Sequence, residues 1–390
     1  MVTLSNCITK VTPSLTLSIT AKAKALKAQG IDVISLSAGE PDFDTPVFIK
    51  EAAIEALRKG MTKYTPAEGT LELRMAIAAK LKRDQGLTYT PDQIVVSCGA
   101  KHSIFNLFQV LLNEGDEVLI PSPYWLSYPE MVTLSGARSV FIETQESAEF
   151  KLTPTQLEKA LTPKTKILVL NSPSNPTGAV YRRKELEALT PVLLKHPQVW
   201  ILSDEIYEKL IFNSESHTSI ASLHPEIAKR TLIVNGHSKA YAMTGWRMGY
   251  TACAKEVADA VSTFQSHTTS NPNSFAQAGA LAALEKGEAE VKKMCEVFEK
   301  RRNLFLAELK KIPKLKAFPP QGAFYVFINI RATGLGSMRL SERLLEEARV
   351  AVVPGLVFGS DHHIRLSFAC SEKDLLESSR RIQDCIQKLG

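Results

Sequence analysis

The sequence lacks any run of 18 apolar residues, so it offers no segment that could cross a membrane as a helix. It also lacks a block of five or six like charges. Its 47 lysines and arginines against 41 aspartates and glutamates leave a net charge of only +6 over 390 residues, which argues against nucleic acid as a partner. No stretch is of low complexity, and glycine and proline contribute only 20 residues each. The composition therefore predicts a folded globular protein rather than a fibre or a disordered chain.

Cysteine is sparse and scattered. None of the six cysteines forms a Cys-x-x-Cys pair, and this spacing fits neither a disulfide framework nor a zinc site. We therefore predict reduced, mostly buried thiols and no bound metal. The first ten residues, MVTLSNCITK, lack the charged-then-apolar layout of a secretory signal. Together these absences predict a cytoplasmic protein.

Short β-branched apolar runs alternate with amphipathic helical patterns in the middle of the chain. Near-continuous apolar strands are typical of a sheet that is buried on both faces. The alternation predicts an α/β fold with a mostly parallel central sheet covered by helices and right-handed crossovers. The predicted strands are 94–97, 117–120, 166–170, 199–203 and 231–234, and helices are predicted at 102–112 and 184–195.

The length suggests two or three domains at about 100–200 residues each. After about residue 285 the pattern changes to a long charged helix, predicted over 286–311, and then to a shorter mixed α+β segment. We therefore predict a large domain over 46–285 and a small C-terminal domain over 286–390. An N-terminal arm, 1–45, is expected to join the small domain.

In open α/β sheets, ligands bind beyond the carboxyl ends of the strands, so the loops that follow the predicted strands are the places to look for chemistry. The loop 98–101 places two small residues at a helix start, which favours a bound phosphate but also fits an ordinary tight turn. The loop 171–178 is stiffened by two prolines. It could hold Asn175 against a ligand, and a plain solvent turn is equally compatible.

Two further loops carry charged residues. Asp204 follows a predicted buried strand, where a carboxylate is costly unless it is paired, hydrogen-bonded or capping a helix. Lys239 follows the last predicted strand; most lysines are solvated, but burial would make this one a nucleophilic amine. Arg247 could bind a phosphate through two hydrogen bonds. We expect all these loops to meet in one crevice, and the combination indicates a site more specifically than any single loop.

The run S-K-A-Y-A-M-T-G-W-R-M-G, which begins at Ser238, resembles the lysine signature of the class I and II aminotransferases, enzymes of fold type I that use pyridoxal phosphate. The loops S-P-S-N-P-T-G and S-D-E-I-Y occur in the same order as in that family. The resemblance extends from about Ser14 to Arg365 and is closest to the bacterial aspartate aminotransferases of the 1b subgroup. Further similar motifs lie at 13–16, 37–43, 63–64, 123–125, 322–325 and 363–367.

This resemblance implies a role for each matching residue around the cofactor. Lys239 would bind pyridoxal phosphate covalently and later move a proton between the substrate and the cofactor. Asp204 would keep the pyridine nitrogen protonated, Tyr207 and Asn175 would hydrogen-bond the phenolic oxygen, and Trp125 would stack on the ring. The residues implied for the phosphate are Gly99, Ala100, Lys101, Ser238 and Arg247, with Tyr64 reaching in from the other subunit of a homodimer.

The resemblance also implies how amino-acid and 2-oxo-acid substrates bind. Arg365 would bind the α-carboxylate as a bidentate fork, with Gly39, Trp125 and Asn175 beside it. A second carboxylate needs a second cation, and Lys101 would supply it with help from the hydroxyl groups of Ser14 and Thr16. Two positions depart from the family pattern: Ala100 stands where many relatives have glycine, and Thr12 where prephenate-using relatives often have lysine.

The resemblance thus predicts an enzyme that transfers the amino group of L-aspartate to 2-oxoglutarate, giving oxaloacetate and L-glutamate. The alternatives are an aminotransferase of other specificity (prephenate or aromatic, alanine, kynurenine), a carbon–sulfur lyase, and a regulator that binds the cofactor without turnover. Such regulators carry an N-terminal DNA-binding module, whereas the matched motifs here begin near Ser14.

Overall fold

The computed structural model describes residues 4–6, 8–213 and 216–389. Strands and helices alternate along most of the chain. The strands are β1 (Ile34–Ser35), β2 (Ile94–Ser97), β3 (Glu117–Ser122), β4 (Arg138–Glu143), β5 (Thr165–Asn171), β6 (Trp200–Asp204), β7 (Thr231–Gly236), β8 (Gly249–Ala252), β9 (Lys316–Phe318), β10 (Tyr325–Asn329), β11 (Val350–Ala351), β12 (Val353–Pro354) and β13 (His363–Ser367). The α-helices are α1 (Leu15–Ala28), α2 (Val47–Arg58), α3 (Leu71–Gln85), α4 (Ala100–Leu111), α5 (Ser127–Leu134), α6 (Pro154–Ala160), α7 (Arg183–Leu194), α8 (Pro225–Ala228), α9 (Lys255–Ser266), α10 (Ser274–Lys286), α11 (Glu288–Leu309), α12 (Ser337–Glu346) and α13 (Glu372–Gln387).

A seven-stranded sheet forms the centre of the molecule, in the order β2-β8-β7-β6-β5-β3-β4. Its neighbouring strands pair in parallel from β7 to β4, and β8 alone runs against its two neighbours. Every residue of β2 and β7 is buried, as expected for strands covered by helices on both faces. The prediction of an α/β fold with a mostly parallel sheet is confirmed.

The parallel arrangement brings the ends of β5, β6 and β7 to one edge of the sheet, because parallel strands all point the same way. Asn171 and Asp204 are the last residues of β5 and β6 and lie opposite each other in the register. The loop that carries Lys239 follows β7 directly. Helix α4 begins at the same edge, immediately after the loop that follows β2.

The C-terminal part of the chain forms a second, four-stranded sheet in the order β12-β13-β10-β9, antiparallel throughout. Its apolar face packs with helices α11, α12 and α13 into a core that includes Phe298, Phe305 and Phe324. Near the start of the chain, β1 pairs in parallel with β11 and so joins the N-terminal arm to this C-terminal region. The proposed domain boundaries at 45 and 285 stay a prediction.

The long charged helix predicted over 286–311 is α11 (Glu288–Leu309), which begins and ends two residues inside the predicted bounds. Gly287 separates it from α10, which ends at Lys286. A Cβ at Gly287 would lie 2.6 Å from the ring of Tyr241, so only glycine lets the chain pass this close while it changes helix.

No helix in the described residues is long and apolar enough to cross a membrane. The cysteines within those residues carry free thiols, and Cys253 and Cys385 are buried. Cys7 lies outside the described residues.

Candidate active site

A cavity of about 420 Å³ opens at the carboxyl edge of the seven-stranded sheet, between this sheet, the N-terminal arm and the four-stranded sheet. It gathers nearly all the residues that the sequence singled out. Those that line it are Ser14, Thr16, Gly39, Ala100, Lys101, Trp125, Asn175, Asp204, Tyr207, Ser238, Lys239, Arg247 and Arg365.

Lys239 lies at the floor of this cavity, in the loop that follows β7. Burial lowers the pKa of its ammonium group from 10.5 to about 8, because a charged amine loses hydration there. Arg365 and Arg247 lower the pKa further, while Glu40 and Asp204 oppose the change. The amine donates a hydrogen bond to the carbonyl oxygen of Gly39. A minor fraction of this lysine is therefore neutral and nucleophilic at neutral pH, and far more than of an ordinary lysine.

Asp204 is only 4% exposed, and its carboxylate is held by two donors. The hydroxyl group of Tyr128 donates to Oδ2 at 2.5 Å, and the backbone N–H of Ile206 donates to Oδ1 at 3.2 Å. Burial raises the pKa of this carboxyl to about 6, although both hydrogen bonds act to lower it. A buried carboxylate with a raised pKa gains from a cationic partner, and a protonated ring nitrogen would be one.

Asn175 and Arg365 form one side of the cavity. Asn175 Oδ1 accepts a hydrogen bond of 2.8 Å from Arg365 Nη1, and Arg365 Nη2 donates to the carbonyl oxygen of Ser37 at 3.1 Å. Arg365 is 2% exposed, its Nε has no hydrogen-bond partner, and it forms no ion pair within the described residues. A buried guanidinium without an acidic partner is costly, so this position favours a bound carboxylate.

Gly99 and Arg247 shape an anion-binding cup at the start of α4. Gly99 has φ 91°, a conformation that favours glycine, and a Cβ there would lie 2.9 Å from Arg247 Cζ. Arg247 itself has φ 57° and donates through Nη1 to the carbonyl oxygen of Thr244 at 2.8 Å. The backbone N–H groups at the start of α4 and this guanidinium together suit a phosphate.

Lys101 is the second residue of α4. Its ammonium nitrogen is 5.0 Å from the centre of the Trp125 ring, and it forms no ion pair within the described residues. Burial, and then the charge of Arg247, lower the pKa of Lys101. Thr16 Oγ1, on α1 across the cavity, is buried without a hydrogen-bond partner in the described part of the chain. The cavity is thus lined by a cation without an ion pair and a hydroxyl group without a hydrogen-bond partner among the described residues.

Comparison with known proteins decides the family. Residues 31–382 match the family described as aminotransferase class I and II. The chain is 49% identical to the aspartate aminotransferase of Bacillus subtilis over 390 residues, which cover 99% of both chains. It belongs to the class I and II aminotransferases. Enzymes of this family use pyridoxal phosphate.

Solved structures of other aminotransferases agree in fold. The aspartate aminotransferase of Thermus thermophilus with maleate superposes with a TM-score of 0.95 at 45% identity, over 99% of this chain and 100% of that one. The aspartate aminotransferase of Rhizobium meliloti gives a TM-score of 0.96 at 42% identity over 99% of each chain.

The residues of this aminotransferase fit its family's cofactor. An amine of lowered pKa, a buried carboxylate, an aromatic ring and an arginine beside a helix N-terminus surround one cavity. These groups complement an aldehyde, a ring nitrogen, a ring face and a phosphate. The donor set therefore suits pyridoxal phosphate on chemical grounds, independently of the family match.

Sequence reasoning missed two tyrosines of the site, Tyr128 and Tyr325, which both line the cavity. Tyr128 stands three residues after Trp125, in the first turn of α5, and that short spacing was the available signal. Tyr325 belongs to the quoted motif at 322–325 but had no role. Two predicted residues do not line the cavity: Gly99 lies behind Arg247, and Tyr64 is 88% exposed on the surface.

Proposed function

We propose that this aminotransferase binds pyridoxal phosphate on Lys239 and transfers the amino group of L-aspartate to 2-oxoglutarate. The observation that carries the proposal is the single cavity that holds Lys239 together with Asp204 and two arginines, where burial lowers the pKa of the lysine. An amine that is partly neutral at physiological pH can attack an aldehyde and can later accept a proton.

The bound cofactor would supply an electron sink for the substrate's Cα. Asp204 would hold a proton on the ring nitrogen, since its carboxylate is fixed by Tyr128 and Ile206 and forms no ion pair among the described residues. Asn175 and Tyr207 would donate to the phenolic oxygen. Lys239, once released by the substrate's amine, would carry the proton to and from the substrate's Cα.

Aspartate as the substrate is supported by two kinds of observation. Relatives named aspartate aminotransferase are 47–50% identical over nearly the whole chain. In the cavity, Arg365 has no acidic partner among the described residues and would take the α-carboxylate, and Lys101 would take the second carboxylate. Ser14 and Thr16 line the same part of the cavity and would add hydrogen bonds.

Prephenate is a second candidate substrate, because relatives from Cereibacter sphaeroides and Aquifex aeolicus, 47% and 46% identical, are named for both aspartate and prephenate. The N-terminal arm differs from the lysine-bearing pattern at Thr12, whose Oγ1 donates to Glu130 at 2.6 Å. We expect prephenate to be used more slowly than aspartate.

A homodimer with shared sites is the proposed assembly. Tyr64 is 88% exposed in this chain although a tyrosine usually buries much of its ring, and Val47, Leu71 and Met75 are exposed at 50–67% nearby in sequence. In a dimer, Tyr64 would reach the phosphate bound by the partner. The cytoplasmic location stays a prediction.

The test is reduction of the purified protein with borohydride, followed by peptide mapping, and a panel of amino donors with 2-oxoglutarate as acceptor. We expect the cofactor label on Lys239 alone and the highest kcat/KM with aspartate. A label on another lysine would refute the site, and a preference for alanine, kynurenine or an aromatic donor would refute the substrate. Release of ammonia or sulfide without amino transfer would point to a lyase.

A further inference from the structure

Tyr325 is a buried residue of the cavity to which the proposed reaction gives no task. It is the first residue of β10 and is fully buried. Its hydroxyl oxygen lies 2.9 Å from the hydroxyl oxygen of Tyr207, and either group can be the donor. Tyr207 is also buried and has no other side-chain hydrogen bond among the described residues. The two tyrosines therefore satisfy each other.

The ring of Tyr325 has a second contact. It stacks against Arg365, whose Cζ lies 4.2 Å from the ring centre, a cation–π distance. A Cβ on Gly39 would lie 3.5 Å from the Tyr325 hydroxyl, so the Gly39 backbone passes close to the same group. One side chain thus contacts the residue proposed for the substrate carboxylate and the residue proposed for the cofactor's phenolic oxygen.

These contacts join two separate sheets. Tyr325 and Arg365 lie on adjacent strands of the four-stranded sheet, where Tyr325 pairs with Ser367 and Phe327 pairs with Arg365. Tyr207 follows β6 of the seven-stranded sheet. The hydroxyl pair is therefore a bridge between the sheet that holds the substrate's carboxylate and the sheet that holds the cofactor.

We propose that Tyr325 is a positioning residue, which orients and strengthens Tyr207 as a hydrogen-bond donor while its ring holds the guanidinium of Arg365 in place. The proposal rests on the function proposed above. When Tyr207 donates to the cofactor's phenolic oxygen, its own oxygen is free to accept from Tyr325. Successive hydrogen bonds of this kind polarise one another, so the second bond makes the first one stronger.

The substitution Tyr325→Phe removes one oxygen atom and keeps the ring over Arg365. A weaker hydrogen bond from Tyr207 leaves the phenolic oxygen of the cofactor more basic. The bound cofactor therefore keeps the proton next to this oxygen up to a higher pH. We expect the midpoint of the pH-dependent change in the visible absorption of the holoenzyme to rise by about 0.3–0.7 pH unit, a twofold to fivefold change in proton affinity. We expect kcat to fall about threefold to tenfold, with KM for aspartate nearly unchanged.

Two further variants separate the two contacts of Tyr325. Tyr325→Leu also removes the ring, and we expect it to raise KM for aspartate because Arg365 loses its support. Tyr181→Phe is the matched control: its buried hydroxyl accepts from the backbone N–H of Leu152 at 2.7 Å and does not line the cavity. The visible absorption of this control is expected to change with pH at the same midpoint as that of the wild type.

A double-variant cycle decides whether Tyr325 acts through Tyr207. In a Tyr207→Phe background, Tyr325→Phe should shift the absorption midpoint no further. An additive shift, or a wild-type midpoint in Tyr325→Phe alone, overturns the inference. If the wild-type protein shows no absorption from a cofactor bound to Lys239, the proposed function itself fails, and that result is read before any Tyr325 variant is measured.

Discussion

The most unusual single residue of the site is Lys239, whose amine has a pKa of about 8 because it is buried. We expect the rate at which cofactor-free protein captures pyridoxal phosphate to rise tenfold per pH unit below pH 8 and to level off above it, since only the neutral amine attacks. Stopped-flow absorbance at a series of pH values measures this.

A substitution at Glu40 tests whether the groups around Lys239 set the pKa of its amine. Its carboxylate opposes the lowering of the Lys239 pKa, so Glu40→Gln is expected to move the midpoint of the capture rate to lower pH. A capture rate that still climbs tenfold per unit between pH 9 and 10 would mean that Lys239 titrates as an ordinary surface lysine.

The preference for substrates with two carboxylates is also expected to depend on a single residue, Lys101. Arg365 can bind one carboxylate, so we expect Lys101→Ala to lower kcat/KM for aspartate about thirtyfold or more, because one charge of a desolvated pair is left alone. Alanine and phenylalanine have no second carboxylate and are expected to lose far less. Steady-state kinetics with these three donors make the comparison.

The control for this substitution is Lys22→Ala, which removes an exposed lysine of α1. It should leave kcat/KM for aspartate, alanine and phenylalanine unchanged. Equal losses for acidic and neutral donors in Lys101→Ala would instead assign Lys101 to the cofactor's phosphate.

At the scale of elements, the start of α4 depends on Gly99. We expect Gly99→Ala to weaken cofactor binding about tenfold or more, because the added methyl group would displace the Arg247 guanidinium and cost a charge-assisted hydrogen bond. Fluorescence titration of the cofactor-free protein measures the dissociation constant.

Gly86→Ala is the matched control, because Gly86 ends α3 with φ 72° and a Cβ there would meet no atom within 4 Å. It should cost roughly 1–2 kcal/mol of folding stability through backbone strain alone and leave cofactor affinity unchanged. Equal affinity losses in both variants would show that strain, and not the displacement of Arg247, is responsible.

The strands and loops that carry the site could be predicted well from the sequence, because each strand has a strong local pattern of apolar residues. The strands before Asp204 and Lys239 are continuous apolar runs, and the structure places their ends within two residues of the predicted ones. Strand β8 (Gly249–Ala252) was missed, because G-Y-T-A has no such run and the strand is fixed only by pairing with β2 and β7. Tyr325 was missed as a site residue for a similar reason: only the meeting of two sheets brings it to Tyr207.

At the scale of the whole molecule, a cluster of buried charges ties α3 to the loop beyond Asp204. Lys80 is 2% exposed, contacts Glu208 and lies 3.7 Å from Asp84. We expect Lys80→Met to lower the free energy of unfolding by about 3–5 kcal/mol, because it leaves the largely buried carboxylate of Glu208 without its ammonium partner. Lys255→Met, which breaks an exposed pair with Asp259, should leave it unchanged in the same urea titration.

The cluster also contains Lys209, Glu205 and His217. Lys209 lies 2.9 Å from Asp84, and His217 lies 3.1 Å from Glu205, which raises the pKa of His217 and lowers that of Glu205 to about 2. If Lys80→Met had the same free energy of unfolding as the wild type in the urea titration, the cluster would have to be hydrated in solution rather than buried.

The proposed dimer is tested by mixing chains. Tyr64→Phe should weaken the partner's site and Lys239→Ala should inactivate its own. Random pairing of equal amounts makes half of the dimers mixed, each with one intact site, so we expect about one quarter of wild-type activity at limiting cofactor. No gain on mixing, or a monomer by light scattering at micromolar concentration, would contradict a shared site.

The pairing of β1 with β11 sets the order in which this molecule can be completed. Ile34–Ser35 is made long before Val350–Ala351, the segment with which it pairs in parallel. All strands of the seven-stranded sheet have left the ribosome by then. Ser14 and Thr16 precede β1 on the same arm, so we expect the edge of the cavity that they line to be put in place only after β11 has been made, although it is translated before the seven-stranded sheet.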